Sequence, residues 1–143
     1  MNAKIKRFDK NLPLPKRQTE GAAAFDLTAR EAVTIAPGTV GYVPLNVAIE
    51  TPAEHFLLIA ARSGTHKKGI VMANGIGIID PDYSGNDDEI KAAYFNFSAA
   101  PVVIEKGERI AQGVFVKISH PDWEEADEMV NKTRGGFGTT GAK

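Results

Sequence analysis

No cysteine occurs anywhere in this chain, which excludes disulfides, thiolate nucleophiles and Cys-ligated zinc or iron–sulfur centres. Long hydrophobic runs are missing too. None approaches the roughly 20 apolar residues that a spanning helix needs, and the leading MNAKIKRFDKNLPLPKR has no apolar core behind its charges, so it does not read as a secretory signal. Nor is there an excess of one charge: 17 Lys and Arg face 18 Asp and Glu, for a formal net charge of -1. That balance argues against a strongly basic nucleic-acid binder. The expectation is a soluble, cytoplasmic protein that engages neither membrane nor nucleic acid.

What is present is a series of short β-favouring runs between Gly and Pro turns. Ile5–Phe8, Val33–Ile35, Val40–Val43, Val47–Ile49, His55–Ala61, Ile90–Asn96, Val102–Ile104 and Arg109–Ile118 each read as a strand. Gly21–Ala29 permits a helix by its alanines, but the brief pieces that follow it favour strands. Ser119–Met129 predicts a short helical turn, with Pro121 in the first turn, acidic Asp122, Glu124 and Glu125 near its start, and Trp123 as a packing anchor. At 143 residues there is room for one domain with a real core. The pattern predicts an all-β fold over 1–143, a β-sandwich or jelly-roll-like barrel.

Five places along the chain carry polar chemistry. Ile70–Ala73 and Ile76–Ile79 flank Asn74-Gly75, which favours a tight hairpin, and the second run delivers Asp80, Asp82 and Tyr83 into a turn with Pro81 and Gly85. Arg62-Ser63-Gly64, at the end of an apolar run, offers a guanidinium, a hydroxyl and backbone N–H groups to an anion. Asp26 projects away from Phe25 and Leu27, and Gln112 is polar amid apolar neighbours, facing either solvent or a ligand. The tail from 131 to 143 holds Lys132, Arg134, Phe137, Thr139 and Thr140 among four glycines between Gly135 and Gly141. It reads either as a frayed end or as an arm able to close over a phosphorylated aromatic ligand. Carboxylates without Cys or clustered His suit Mg²⁺, and phosphate binders beside them make a nucleotide-phosphate site.

These segments together resemble the homotrimeric dUTPase family, whose five motifs appear here in order. They are Ala23–Leu27; Arg62-Ser63-Gly64 with Lys67–Ile70; Asn74–Gly85; Gly107–Gln112; and Arg134–Gly141. The resemblance implies a distorted jelly roll with a mobile C-terminal arm at 131–143. It also implies hydrolysis of dUTP to dUMP and pyrophosphate, which limits uracil in DNA and supplies dUMP for thymidylate synthesis. Asp80 would be the general base, orienting a water for attack on the α-phosphorus. The hairpin residues Asn74, Gly77 and Ile79 would bind uracil, and Tyr83 would pack on the deoxyribose. Ser63, Gly64 and Gln112 would touch phosphates, with Arg62 supporting Asp82 and the acidic loop, and Asp26 would organise an Mg²⁺–triphosphate through water. Phe137 and Gly138 would cover the base, Thr139 and Thr140 would reach the terminal phosphates, and Lys132 or Arg134 would meet the γ-phosphate. In such trimers the arm comes from another subunit, so each site draws on three chains.

Several positions depart from the family pattern. Ala24 replaces a usual Gly and Ala61 a usual Pro, Asn86-Asp87-Asp88 adds three residues after Gly85, and Arg134 stands three residues before Phe137 instead of five. Two other readings compete. One is a dCTP deaminase-like enzyme of the same superfamily, for which Glu89 lies near the required glutamate position. The other is a non-catalytic nucleotide-binding β-protein.

Overall fold

Period-two alternation builds the sheets. In β9 (Lys91–Asn96) the side chains of Ala92, Tyr94 and Asn96 are buried while those between them turn outward, as a pleated strand with one packed face requires. The computed structural model describes residues 1–142, which form eleven strands and one 3₁₀ turn, Thr65–Lys68. Besides β9, the strands are β1 (Lys4–Arg7), β2 (Phe25–Thr28), β3 (Val33–Ile35), β4 (Val40–Pro44), β5 (Val47–Glu50) and β6 (His55–Ala61), then β7 (Ile70–Met72), β8 (Gly77–Ile79), β10 (Val102–Ile104) and β11 (Arg109–Lys117). Among the described residues no helix is long and apolar enough to cross a membrane.

Every pairing is antiparallel, and the main ones join strands far apart in sequence. One sheet runs β2-β11-β6-β8 and the other β4-β9-β7, with β1-β5 and β3-β10 as smaller pairs. Wrapping of this kind is a jelly roll, as the strand pattern predicts. The core lies between the two larger sheets. Leu27, Leu57, Ile59 and Ala111 meet Val43, Ile70, Met72, Ala92 and Tyr94 there. Tyr94 is fully buried, and its hydroxyl donates to the Ile110 carbonyl at 2.6 Å, joining the two sheets through the core. Burial pushes the Tyr94 hydroxyl far above its ordinary pKa. Gly113 clears the way for Phe25, because a Cβ there would stand 2.8 Å from the ring.

Three expectations change. Ile70–Ala73 and Ile76–Ile79 do not make a hairpin ladder: β7 pairs with β9, and β8 pairs with β6 in the opposite sheet. The turn forms, but the core between the sheets holds its two arms apart. The helical turn over Ser119–Met129 is absent. Its apolar residues Trp123, Ala126 and Met129 are exposed and pack against nothing, and so short a stretch without tertiary packing is marginal in water. Trp123 is therefore no packing anchor; it is 92% exposed.

Candidate functional site

The split turn creates a slot. Gly75, at φ +73, gives the tight reversal, with its N–H donating to the Met72 carbonyl at 3.1 Å and the Ile76 N–H to the Asn74 carbonyl at 2.8 Å. β7 and β8 are both edge strands of their sheets, so each keeps a row of backbone N–H and C=O groups without a strand partner. A cavity of about 240 Å³ lies beside them, lined by Met72, Asn74, Gly77, Ile79, Tyr83 and Glu89 among others. The absence of a side chain at Gly77 keeps the backbone close to the sheet, since a Cβ there would press on Ile59 at 3.3 Å. Such a slot is suited to reading the polar edge of a planar ring through main-chain groups.

Asp80 follows β8 directly and is exposed at the lip of the slot, between the lining residues Ile79 and Tyr83. Its carbonyl accepts the Tyr83 N–H at 3.1 Å, closing a turn that points the ring back over the cavity. The three inserted residues form a closed loop of their own. The Asp88 carboxylate accepts the Gly85 N–H at 2.7 Å, and Lys6 of β1 donates to the Asn86 carbonyl. Glu89, next in the chain, is buried. Its carboxylate accepts two hydrogen bonds from Arg30, at 2.7 and 3.0 Å, and one from the Asn46 N–H at 3.0 Å. That hydrogen bond from Arg30 raises the guanidinium above its ordinary pKa, against the opposing effect of burial. A carboxylate so occupied is not free to act as a base, which removes the one residue on which ring deamination would rest.

A second cleft, of about 350 Å³, collects the anion-binding candidates Asp26, Arg62, Ser63 and Gln112. The strand order explains it. Asp26 on β2 lies directly opposite Gln112 on β11, so both project from one face. Arg109, three residues before Gln112, would ordinarily face the other way. A bulge between Arg109 and Ala111 shifts the register by one and turns it to the same side. The Asp26 carboxylate then accepts from Arg62 Nε at 3.1 Å and Arg109 Nη1 at 3.1 Å. Arg62 also donates to the Arg109 carbonyl at 3.2 Å, and Gln112 Nε2 to the Ala61 carbonyl at 2.9 Å. Arg62 thus braces Asp26, not Asp82 as the family resemblance implies. Two guanidiniums on one carboxylate make a net positive cluster between this cleft, which Arg62 and the exposed Ser63 line, and an adjoining hollow lined by Gly64, Arg62 and Arg109.

Among the described residues no three His, Cys, Asp or Glu side chains gather as a metal-holding group. Asp26 has both oxygens engaged by arginine, which leaves lone pairs for water but no open chelate. The donor set therefore fits Mg²⁺ held by water and by a ligand's own phosphates, and does not fit direct protein coordination.

Lys132, Arg134, Phe137, Gly138, Thr139 and Thr140 are not brought to either cleft. From Ser119 onward the tail is exposed at every described position except Gly136, and Phe137 has no cover at all. Lys143, the last residue of the expected arm, lies outside the described residues. Neither Ala24 nor Ala61 adopts a positive φ, so both small replacements sit without backbone strain. The slot and the anion cleft share no lining residue. Sequence reasoning assigns nothing to Arg109, Arg30 or Tyr42. Arg109 lies inside one of the five motifs, whereas only the fold places Tyr42 at the slot and Arg30 against Glu89.

The family model described as dUTPase matches residues 10–141. The deoxyuridine 5'-triphosphate nucleotidohydrolase of Lactococcus lactis subsp. lactis is 41% identical over 133 residues, 90% of this chain and 88% of the relative. The crystal structure of dUTPase from Streptococcus mutans superposes with a TM-score of 0.77 at 35% identity, over 83% of this chain and 98% of that one. A Staphylococcus bacteriophage 80alpha dUTPase with dUPNHPP gives a TM-score of 0.86 at 25% identity, covering 98% of each chain.

Proposed function

The chain belongs to the dUTPase family, and from that premise we propose that it hydrolyses dUTP to dUMP and pyrophosphate in the cytoplasm. The observation that carries the reading is the slot between two strand edges with Asp80 at its open lip. Asn74, Gly77 and Ile79 hold uracil through main-chain groups. Their fixed donors and acceptors reject cytosine by mismatch, the stronger kind of discrimination, and the narrow slot leaves no place for a 5-methyl. Tyr83 packs against the sugar and excludes a 2′-hydroxyl.

Asp80 orients a water for in-line attack on the α-phosphorus and takes its proton. An exposed carboxylate is a weak base, so much of its effect comes from position. Ser63, Gly64 and Gln112, with the cleft of Arg62 and Arg109, receive the triphosphate, and the paired charge of Asp26 fixes both guanidiniums in place. Asp26 would hold Mg²⁺ through water, and the ion would supply charge neutralisation to the triphosphate. Phe137 and Gly138 cover the base, while Thr139, Thr140 and one of Lys132 or Arg134 meet the outer phosphates.

The slot and the anion cleft have separate linings, which supports a homotrimer in which one copy's slot faces another's cleft and the arm of a third closes the site. The test is pyrophosphate release from dUTP, dTTP, dCTP and UTP with Mg²⁺, for the parent and Asp80→Asn. The parent should turn over dUTP alone at an appreciable rate. The variant should bind dUTP yet lose most of its turnover, and unimpaired release by it refutes the assignment.

A further inference from the structure

Glu89 is buried, charged and unused by the mechanism above, yet it lines the slot. Its surroundings make it a fixed point. Both carboxylate oxygens are taken by Arg30, and one also accepts the Asn46 N–H. Asn46 is itself immobilised: it is buried at φ +69, and its side-chain amide bridges the Asp9 N–H at 2.6 Å and carbonyl at 3.0 Å. The main chain around Glu89 is tied as firmly, with its own N–H donating to the Asp87 carbonyl at 2.9 Å and the Ile90 N–H to the Val47 carbonyl at 2.9 Å. One group of this residue remains for the slot. The Glu89 carbonyl accepts the Tyr83 hydroxyl at 3.2 Å.

We propose that the Arg30–Glu89 pair is a positioning device for sugar selection, holding the Glu89 carbonyl where it sets the angle of the Tyr83 ring. The inference rests on the proposed sugar contact of Tyr83. That ring is 41% exposed, so packing alone does not fix it, and the hydroxyl–carbonyl bond supplies the missing constraint. Arg30 reaches Glu89 across 59 positions of sequence from just past β2, where its own N–H donates to the Pro44 carbonyl of β4 at 2.8 Å. The orientation of the ring is thereby referred to the junction of β2 and β4, not only to the loop that carries Tyr83.

The test compares kcat/KM for dUTP and UTP in the parent, Glu89→Gln, Tyr83→Phe and the double variant, with denaturation midpoints alongside. Glu89→Gln keeps the side-chain volume but sets an amide against the guanidinium. The preference for dUTP over UTP should fall roughly two- to tenfold, the equivalent of one hydrogen bond. Tyr83→Phe should show a similar fall, and in its background Glu89→Gln should leave the ratio unmoved. A role confined to stability would depress both substrates together. An unchanged ratio in Glu89→Gln, or additive falls in the double variant, therefore overturns the inference. Should Glu89→Gln not fold, Arg30→Gln, at a half-buried side chain, takes its place in the same comparison, and an unchanged ratio there overturns the inference equally. A parent enzyme that hydrolyses dUTP and UTP alike overturns the sugar-contact reading itself, a result distinct from a selective parent with an unmoved variant.

Discussion

Replacing Asp26 by Asn should cost stability, because the side chain closes a two-arginine clamp. The carboxylate is 11% exposed, and each of its oxygens takes a guanidinium contact at 3.1 Å. A fully desolvated charge-assisted hydrogen bond contributes about 1.5–3 kcal/mol. Arg62 and Arg109 are 35% and 46% exposed, so solvent screening reduces each contact to about 1 kcal/mol. Asn keeps one acceptor but turns its amide donors toward the other guanidinium, so most of both contacts is lost. The expected cost is about 2 kcal/mol, or roughly 4–8 °C in Tm for a domain of this size. Urea and thermal unfolding at one fixed protein concentration measure it, since assembly would otherwise move the midpoint. Arg62→Gln and Arg109→Gln should each cost about half as much, and each should couple to Asp26→Asn in a double-mutant cycle. A midpoint for Asp26→Asn equal to the parent's would show that the clamp carries no energy and that Asp26 is free for another partner.

Two further outcomes follow from features of the core and the tail. Tyr94→Phe should cost about 1 kcal/mol for the lost bond to Ile110. It should also flatten the alkaline limb of the stability profile: the folded pKa of Tyr94 is raised by burial, so its contribution is full below the ordinary 10.0 and is lost as pH rises beyond it. Equal slopes above pH 10 for parent and variant would contradict this. Removing residues 132–143 should leave the unfolding midpoint in place, since the described part of that stretch is exposed, while lowering kcat/KM for dUTP on the order of 100-fold. Full activity in the truncated chain would refute the proposed arm.

Much of the fold is legible in the sequence because burial on one face of a strand imposes period two, as in Ala92, Tyr94 and Asn96. The anion-binding residues are legible as types, and three of them, Arg62, Ser63 and Gln112, do share a cleft with Asp26. Which carboxylate Arg62 chooses is not legible. The answer depends on a bulge at Ile110 that brings Arg109 to the same face, and nothing in the local sequence marks it. The slot escapes a local reading for a related reason. Asn74-Gly75 reports a tight turn truthfully, but whether its arms pair with each other or with β6 and β9 is settled by burial far away in sequence. Proline and acidic residues near Trp123 are helix-starting signals, yet they act only on a first turn and cannot supply the tertiary packing that would sustain a helix.

The uncovered tail bears on how tightly the lid proposed above would need to grip. Among the described residues, its last main-chain tie to the domain is the Ile118 N–H on the Glu54 carbonyl at 2.9 Å, and about twenty residues separate Lys117 from Phe137. A chain of that length has an end-to-end span of about 25 Å if flexible and up to roughly 65 Å if extended. Tethering on this scale sets an effective concentration in the millimolar range. The aromatic lid proposed above would need only a very weak intrinsic affinity to be engaged much of the time at that concentration, and weak affinity would let it release product without a slow step. The same residues offered as a detached peptide at micromolar concentration would leave the site open.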